Sequence, residues 1–388
     1  NCFDPLYGEH MKIAVAKSDL EEALKVSSLT VGSGSDLSSH YLFRVQEGEV
    51  EILSYDMRVF SRTPLRATVE GGDGAFTVEA WRLDKWVSSV GDGALSLHLG
   101  EGGEVTAKGP RSKIKLRSLD AQRFPYWDGL LSEATSIGTA EPMLLWRALN
   151  LSKHFVSTDD TSRPEICQTE ARSGVLQATN RRAVSSVTLR SLPALSLRVS
   201  GKDLSVVLKF LSDKYTQEND VEVQEASRPA SAGGGACALF SRPDGSYVGV
   251  SRPTSEMPKL DISPEETGVS LSLNVEEFSR ALDVLLASAP KGHDAVQFRA
   301  EDENLVLSMP SAAGGSDSYP MIHSTQQGLE ESQFSLDYAY IRSIADLFDL
   351  DNVDLAVHVR DRGGYVSFSH DDGGDTGNQY YTVIVWRN

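Results

Sequence analysis

At about 100–200 residues per domain, a chain of 388 residues predicts two to four folding units and is too long for one small disulfide-stapled module. With 40% hydrophobic and 24% charged residues, and only three widely spaced cysteines, neither a disordered chain nor a disulfide framework is expected. No run approaches the ~18 apolar residues of a spanning helix, and a net charge of −18 argues against a uniformly basic nucleic-acid binder.

Residues 1–10 read as a leader or tag remnant ahead of Met11, and they carry no basic stretch followed by an apolar run, so a cytoplasmic, reducing compartment is expected. Ile13 to Ala16 alternates as a strand, and an amphipathic helix capped by a Ser or Asp follows through Leu24. Phe76 to Leu83 passes from strand to helix, and Ala94 to Leu99 alternates again. The first unit closes at Gln122-Arg123-Phe124-Pro125-Tyr126, with a connector near 130–140. Pro142 to Phe155 opens the second unit as a helix, with Pro142 near its start, where a missing N–H costs little. Leu197 to Leu204 then repeats the strand-to-helix passage, Val221 to Val223 is strand, and 230–236 is a flexible hairpin loop. Glu256-Met257-Pro258-Lys259-Leu260 ends this unit, and 262–268 is the second connector. In the third unit Leu271 to Leu282 repeats the opening strand and helix, Phe334 to Ile341 repeats the second one, Val353 to Val359 is strand and 371–378 a loop.

These landmarks amount to an internal repeat. Val78, Val199 and Leu336 correspond, 121 and 137 residues apart. The chain therefore divides into 11–132, 133–264 and 265–388, each an α+β unit of two helices and several antiparallel strands. Charge is unevenly shared among them. There are 15 basic against 17 acidic residues in 11–132, 15 against 15 in 133–264, and 7 against 21 in 265–388. The acid is concentrated in the last third, which leaves the first two thirds able to build a positive face.

Motifs for chemistry are absent: no Walker A loop, no G-x-G-x-x-G after a strand, no H-E-x-x-H, no G-x-S-x-G elbow. No two of the eight histidines stand at i,i+3 or i,i+4 to chelate a metal. Asp371-Asp372-Gly373-Gly374-Asp375 lacks the spaced oxygens of a calcium loop. No catalytic residue, metal or cofactor is therefore assigned, and weight shifts toward binding or scaffolding.

Several segments resemble the bacterial-type beta sliding clamp, the processivity factor of DNA polymerase III. Ser54-Tyr55-Asp56-Met57 is similar to that family's Thr-Asp-Leu turn, and Leu116-Arg117-Ser118-Leu119 leads to Phe124-Pro125. Ala178-Thr179-Asn180-Arg181-Arg182-Ala183 resembles its Ala-Thr-Asp-Gly-His-Arg-Leu with one residue fewer. Val199-Ser200-Gly201-Lys202 looks like its Val-Pro-Arg-Lys helix start, and Ser251-Arg252 through Met257-Pro258 like its Ser-Lys/Arg to Phe-Pro-Asp segment. Phe334 to Tyr338 resembles Phe-Asn-Val-Ser-Tyr, and the last eight residues, Tyr381 to Asn388, resemble Tyr-Val-Val-Met-Pro-Met-Arg-Leu. The likeness runs from Met11 to Asn388.

The resemblance implies three tandem clamp units closing, as a head-to-tail homodimer, into a pseudo-six-fold ring around duplex DNA, with no enzymatic activity and no membrane association. Helix cations that would face the DNA are Lys25, Arg82, Lys85, Arg147, Lys153, Lys202 and Lys209; the third unit offers only Arg280 and Arg342. The resemblance also implies an apolar groove for peptides of the replicative polymerase and the clamp loader. Carried over one by one, its residues are Thr179, Arg182, Ala183, Pro258, Ser335, Tyr338, Val383, Ile384, Val385, Trp386 and Arg387. The departures fall in this groove: Arg181 replaces a Gly-His pair, Ala183 a leucine, and Ile384-Val385-Trp386 a Met-Pro-Met run. They are expected to change which peptides fit; with 32–39 lacking the basic residue of the family's first inner loop, they suggest a distant lineage. Two other readings stand beside this one: a clamp-fold protein–protein scaffold that has lost DNA encirclement, and a hydrolase with an unrecognised site.

Overall fold

The computed structural model describes residues 11–34, 36–100, 103–125, 127, 130–159, 161–228, 234–260, 269–301, 304–321, 333–348, 354–359, 365–373 and 377–385. Among them the helices are α1 (Lys17–Ser27), α2 (Ala80–Ser89), α3 (Leu130–Glu133), α4 (Pro142–Lys153), α5 (Leu204–Leu211), α6 (Lys214–Gln217), α7 (Val275–Ser288) and α8 (Tyr338–Phe348). The chain packs as two compact units, 1–142 with 205–252 and 143–204 with 253–388.

In the first unit a five-stranded antiparallel sheet has Met11–Ala16 between Ala67–Glu70 and Ala94–Leu99, followed by Val105–Gly109 and Ser112–Leu116. An eight-stranded sheet joins distant stretches of chain. Thr135–Ala140, Val221–Ser227, Ala236–Ser241 and Tyr247–Ser251 run in that order and continue through Val59–Leu65 to Glu49–Asp56, His40–Gln46 and Gly74–Glu79. Helix α1 buries Leu20, Ala23 and Leu24, and α2 buries Leu83, Trp86 and Val87, in a core shared with Ile13, Phe43, Ile52 and Phe76. Such apolar positions at helical spacing face a core while their polar neighbours stay in water.

The second unit repeats the plan. Leu197–Ser200, Gln168–Arg172, Val175–Thr179 and Ala183–Thr188 pair in that order and are extended by Gln379–Val385, Tyr365–Asp371, Asp354–Val359 and Val269–Asn274. A separate four-stranded sheet orders Ser316–Met321, Asn304–Pro310, Ala295–Glu301 and Gln333–Asp337. Helices α7 and α8 pack together, with Phe278, Leu282, Leu285, Ile341 and Ile344 buried.

The expected strand-to-helix passages appear at all three repeats, with one difference. In the first and third copies the strand enters the helix directly. In the middle copy the turn 201–203 intervenes, so Lys202 lies before α5 rather than on it. Gly201 suits this turn because its N–H donates to the Cys167 carbonyl at 2.8 Å, and a Cβ would come within 2.8 Å of the Val156 side chain.

Three local expectations are corrected. Helix α1 starts directly after Ala16, with no side-chain cap; the strand hands its direction straight to the helix. The connector near 130–140 is instead α3 and the strand Thr135–Ala140, because Phe124, Trp127 and Leu130 bury against Phe60, Leu239 and Tyr247. Of the residues expected in loops, Ala236 begins a strand and Asp371 ends one. The second connector, 262–268, lies outside the described residues. Pro142 opens α4 as expected.

Candidate functional site

Of the expected groove residues, Thr179, Ala183, Val383 and Ile384 are positioned by one sheet. Ala183 pairs with Ile384 and Val184 with Val383. Ala183 and Ile384 are buried, whereas Val184 and Val383 are half-buried. Residues directly opposite one another share a face, so these two valines form an adjacent apolar pair.

The turn 180–182 at the end of this hairpin is held by its own side chains. The Thr179 hydroxyl donates to the Ala183 carbonyl at 2.9 Å and accepts from the Arg181 N–H at 3.1 Å. Asn180 Oδ1 accepts from the N–H groups of Arg182 and Ala183 at 3.1 and 3.0 Å. Asn and Thr side chains satisfy turn backbone in this way because their short polar ends reach two or three residues on. Arg181 occupies the left-handed region at φ 77°.

Asn180 Nδ2 also donates to the Tyr340 hydroxyl at 2.5 Å, and the Tyr340 ring stacks on Phe155 with centroids 5.4 Å apart. Tyr340 and Phe155 were not among the expected groove residues. Tyr338 was, yet it lies beside Arg342 and burial raises its pKa, with the Arg342 charge opposing. At about 100° per residue, positions two apart on a helix point some 200° away from each other. Only one of the two tyrosines can meet the turn. Ser335 is half-buried on the four-stranded sheet, opposite Gln297.

Pro258 is exposed on a segment fixed from below. Glu170, almost fully buried, accepts from the Met257 N–H at 2.7 Å and from Arg172 and Arg198 at 2.8 and 3.0 Å. Burial alone would raise this carboxyl; the hydrogen bonds from Arg172, Met257 and Arg198 hold it below the usual range. Arg172 also donates to the Met257 carbonyl, Gln168 to that of Ser255 and Gln177 to that of Leu260. Val385 pairs with Tyr365, but its side chain, and Trp386 and Arg387 entirely, lie outside the described residues.

The helix cations divide into two kinds. Lys25, Arg82, Lys85, Lys153, Lys202 and Lys209 are exposed. Lys25 pairs with Glu22 at 2.7 Å and Arg82 with Glu79 at 3.0 Å. Arg147 is instead largely buried, 3.9 Å from Asp372, so it supplies little surface charge. On α7 and α8, Arg280 pairs with Glu276, and Arg342 with both Asp283 and Asp346. With Glu277 added, that pair of helices is net acidic. Among the described residues no group of three metal-ligating side chains occurs, and no helix is long and apolar enough to cross a membrane.

Compared with known proteins, the sequence matches no family model and no curated protein. Solved structures do match. The DNA polymerase sliding clamp of Bacillus subtilis superimposes with a TM-score of 0.80 at 16% identity, covering 98% of this chain and 99% of its own. The beta subunit of DNA polymerase III from Thermotoga maritima gives 0.78 at 17%, covering 97% and 99%. The sliding clamp from Bartonella birtlesii, solved bound to griselimycin, gives 0.79 at 18%, covering 98% and 100%. The chain has the beta sliding clamp fold. Coverage near completeness in both directions means that the clamp fold accounts for every described sheet, including the two that join distant stretches of chain. The three repeat-matched positions Val78, Val199 and Leu336 are each fully buried in this fold.

Proposed function

We propose that this chain is a DNA sliding clamp, a non-enzymatic processivity factor that encircles duplex DNA and tethers a replicative polymerase. The observation that supports the reading is the match along nearly the whole length of this chain with solved sliding clamps, at TM-scores of 0.80 and 0.79. In this reading 11–132, 133–264 and 265–388 are the three clamp domains, and two chains associate head to tail into a pseudo-six-fold ring in the cytoplasm, at the nucleoid. Closed homodimers are the commonest symmetric assembly. Exposed Lys25, Arg82, Lys85, Lys153, Lys202 and Lys209 would attract phosphates without reading bases, which is compatible with sliding. The hairpin turn, the Val184–Val383 pair and Pro258 would form the groove for peptides of the polymerase and clamp loader, bound through a few apolar anchors.

Sedimentation, coupled to retention on nicked circular DNA before and after linearisation, tests the proposal. A dimer retained on circles and lost from linear ends is expected. A monomer with no topological retention would favour the clamp-fold scaffold instead.

A further inference from the structure

We infer that the Asn180–Arg181–Arg182 turn reads a carboxylate, and that the peptide taken by the groove is acidic beside its apolar anchors. This rests on the groove reading proposed above and adds the chemistry of the partner. Arg181 and Arg182 are adjacent and exposed. Among the described residues neither guanidinium makes an ion pair, although the chain has 55 acidic residues against 37 basic ones. In the same unit Arg172, Arg190, Arg198, Arg280 and Arg342 are each engaged by a carboxylate.

The backbone of the turn marks it further. A φ of 77° is the region glycine prefers, and a side chain there is strained. Arg181 is held in it by Thr179 and Asn180, with Tyr340 fixing Asn180 from α8. The N–H groups of Arg181, Arg182 and Ala183 are all consumed by Thr179 Oγ1 and Asn180 Oδ1, so the turn has no backbone donors left for an anion. Recognition must come from the two guanidiniums, whose planar forks suit a carboxylate. The turn leads through Ala183 straight into Val184, which is paired with Val383, so the same ligand would place an apolar side chain on the valine pair and an acid on the turn. That juxtaposition favours an acidic peptide over a nucleic-acid phosphate, which has no apolar group to offer there.

Fluorescence anisotropy on the full chain tests this with labelled twelve-residue peptides sharing one core of leucines and alanines and flanked on both sides by Glu-Glu or by Gln-Gln. The Glu-flanked peptide is expected to bind about ten-fold tighter, the size of one well-made charge-assisted contact. In a chain carrying Arg181→Gly, which suits the positive φ, together with Arg182→Gln, the two peptides should bind alike, with melting temperature as the folding control. Arg111→Gln, removing an exposed cation in the first unit, should leave the ten-fold ratio in place. Equal binding of both peptides to the parent, a ratio that survives in the double variant, or one that collapses with Arg111→Gln would overturn the inference while leaving the groove standing. So would displacement of the Glu-flanked peptide by a short DNA duplex that depends on the same two arginines. Binding of neither peptide would remove the groove itself.

Discussion

Glu170 shows how one buried charge can shape a surface some distance away. Its carboxylate collects Arg172, Arg198 and the Met257 N–H, and so fixes the segment that presents Pro258. Glu170→Gln keeps the shape but leaves two guanidiniums facing a neutral amide, and breaking a buried pair costs about 3–5 kcal/mol. A loss near the lower end is expected in urea unfolding, with faster hydrogen exchange confined to 255–260. Asp84 behaves in the opposite sense. Burial pushes its carboxyl from 3.8 up to about 6, and the Tyr41 hydroxyl, 2.9 Å away, opposes the rise. The folded chain therefore holds that proton more tightly than the unfolded one. Stability from protonation is full below about pH 4 and is lost as pH rises through about 6. At full burial the shift would be worth about 3 kcal/mol, which water reaching the group reduces to about 1–2 kcal/mol. Asp84→Asn, which still accepts from Tyr41, should match the parent at pH 4 and exceed its stability by that amount at pH 7.5, as read by paired denaturant titrations.

At the scale of elements, what was legible in the sequence is what a local period can carry. The change from alternation to helical spacing marks the starts of α2 and α8 correctly, and the matching copies at Val78, Val199 and Leu336 reveal the repeat. Partners in the sheets were not legible. Ala183–Thr188 pairs with Gln379–Val385 nearly two hundred residues away, a register set by packing that no window of sequence contains. The contact of Tyr340 with Asn180 was not legible for a related reason, since the family spacing identifies a helix start but the phase of α8 decides which ring meets Asn180. The connector near 130–140 hid a strand because Gly138 and the small Ala, Thr and Ser residues around it resemble a linker, while Trp127 and Leu130 anchor it from the preceding turn. One strand carries a sharp test of such packing. Gly249 lies directly opposite Phe60, and a Cβ there would overlap the aromatic ring. Overpacking of a core costs about 1–3 kcal/mol, so Gly249→Ala should lower stability by about 2 kcal/mol, whereas Gly249→Ala combined with Phe60→Leu should recover part of that loss in thermal unfolding.

For the whole molecule, charge and topology make different demands, and the balance of the helices separates them. Exposed cations sit on α1, α2, α4 and α5, but α7 and α8 bear Glu276, Glu277, Asp283 and Asp346 against two arginines already engaged by carboxylates. Binding through phosphates alone loses affinity steeply with salt, by a slope of about 0.9 per contact neutralised, and a surface with this mixture of charges should hold DNA through few such contacts. Under the proposed encirclement, retention on a closed circle does not depend on those contacts once the ring is loaded. The quadruple change Arg82→Ala, Lys85→Ala, Lys153→Ala and Lys209→Ala should therefore weaken equilibrium binding to linear duplex several-fold and flatten its salt dependence. The half-life of loaded protein on nicked circles should stay within about two-fold of the parent at moderate salt, because only opening of the ring releases it. Measuring both on the same preparations separates the two modes: a half-life on circles that falls in step with linear affinity would mean that the chain holds DNA by contact rather than by enclosure.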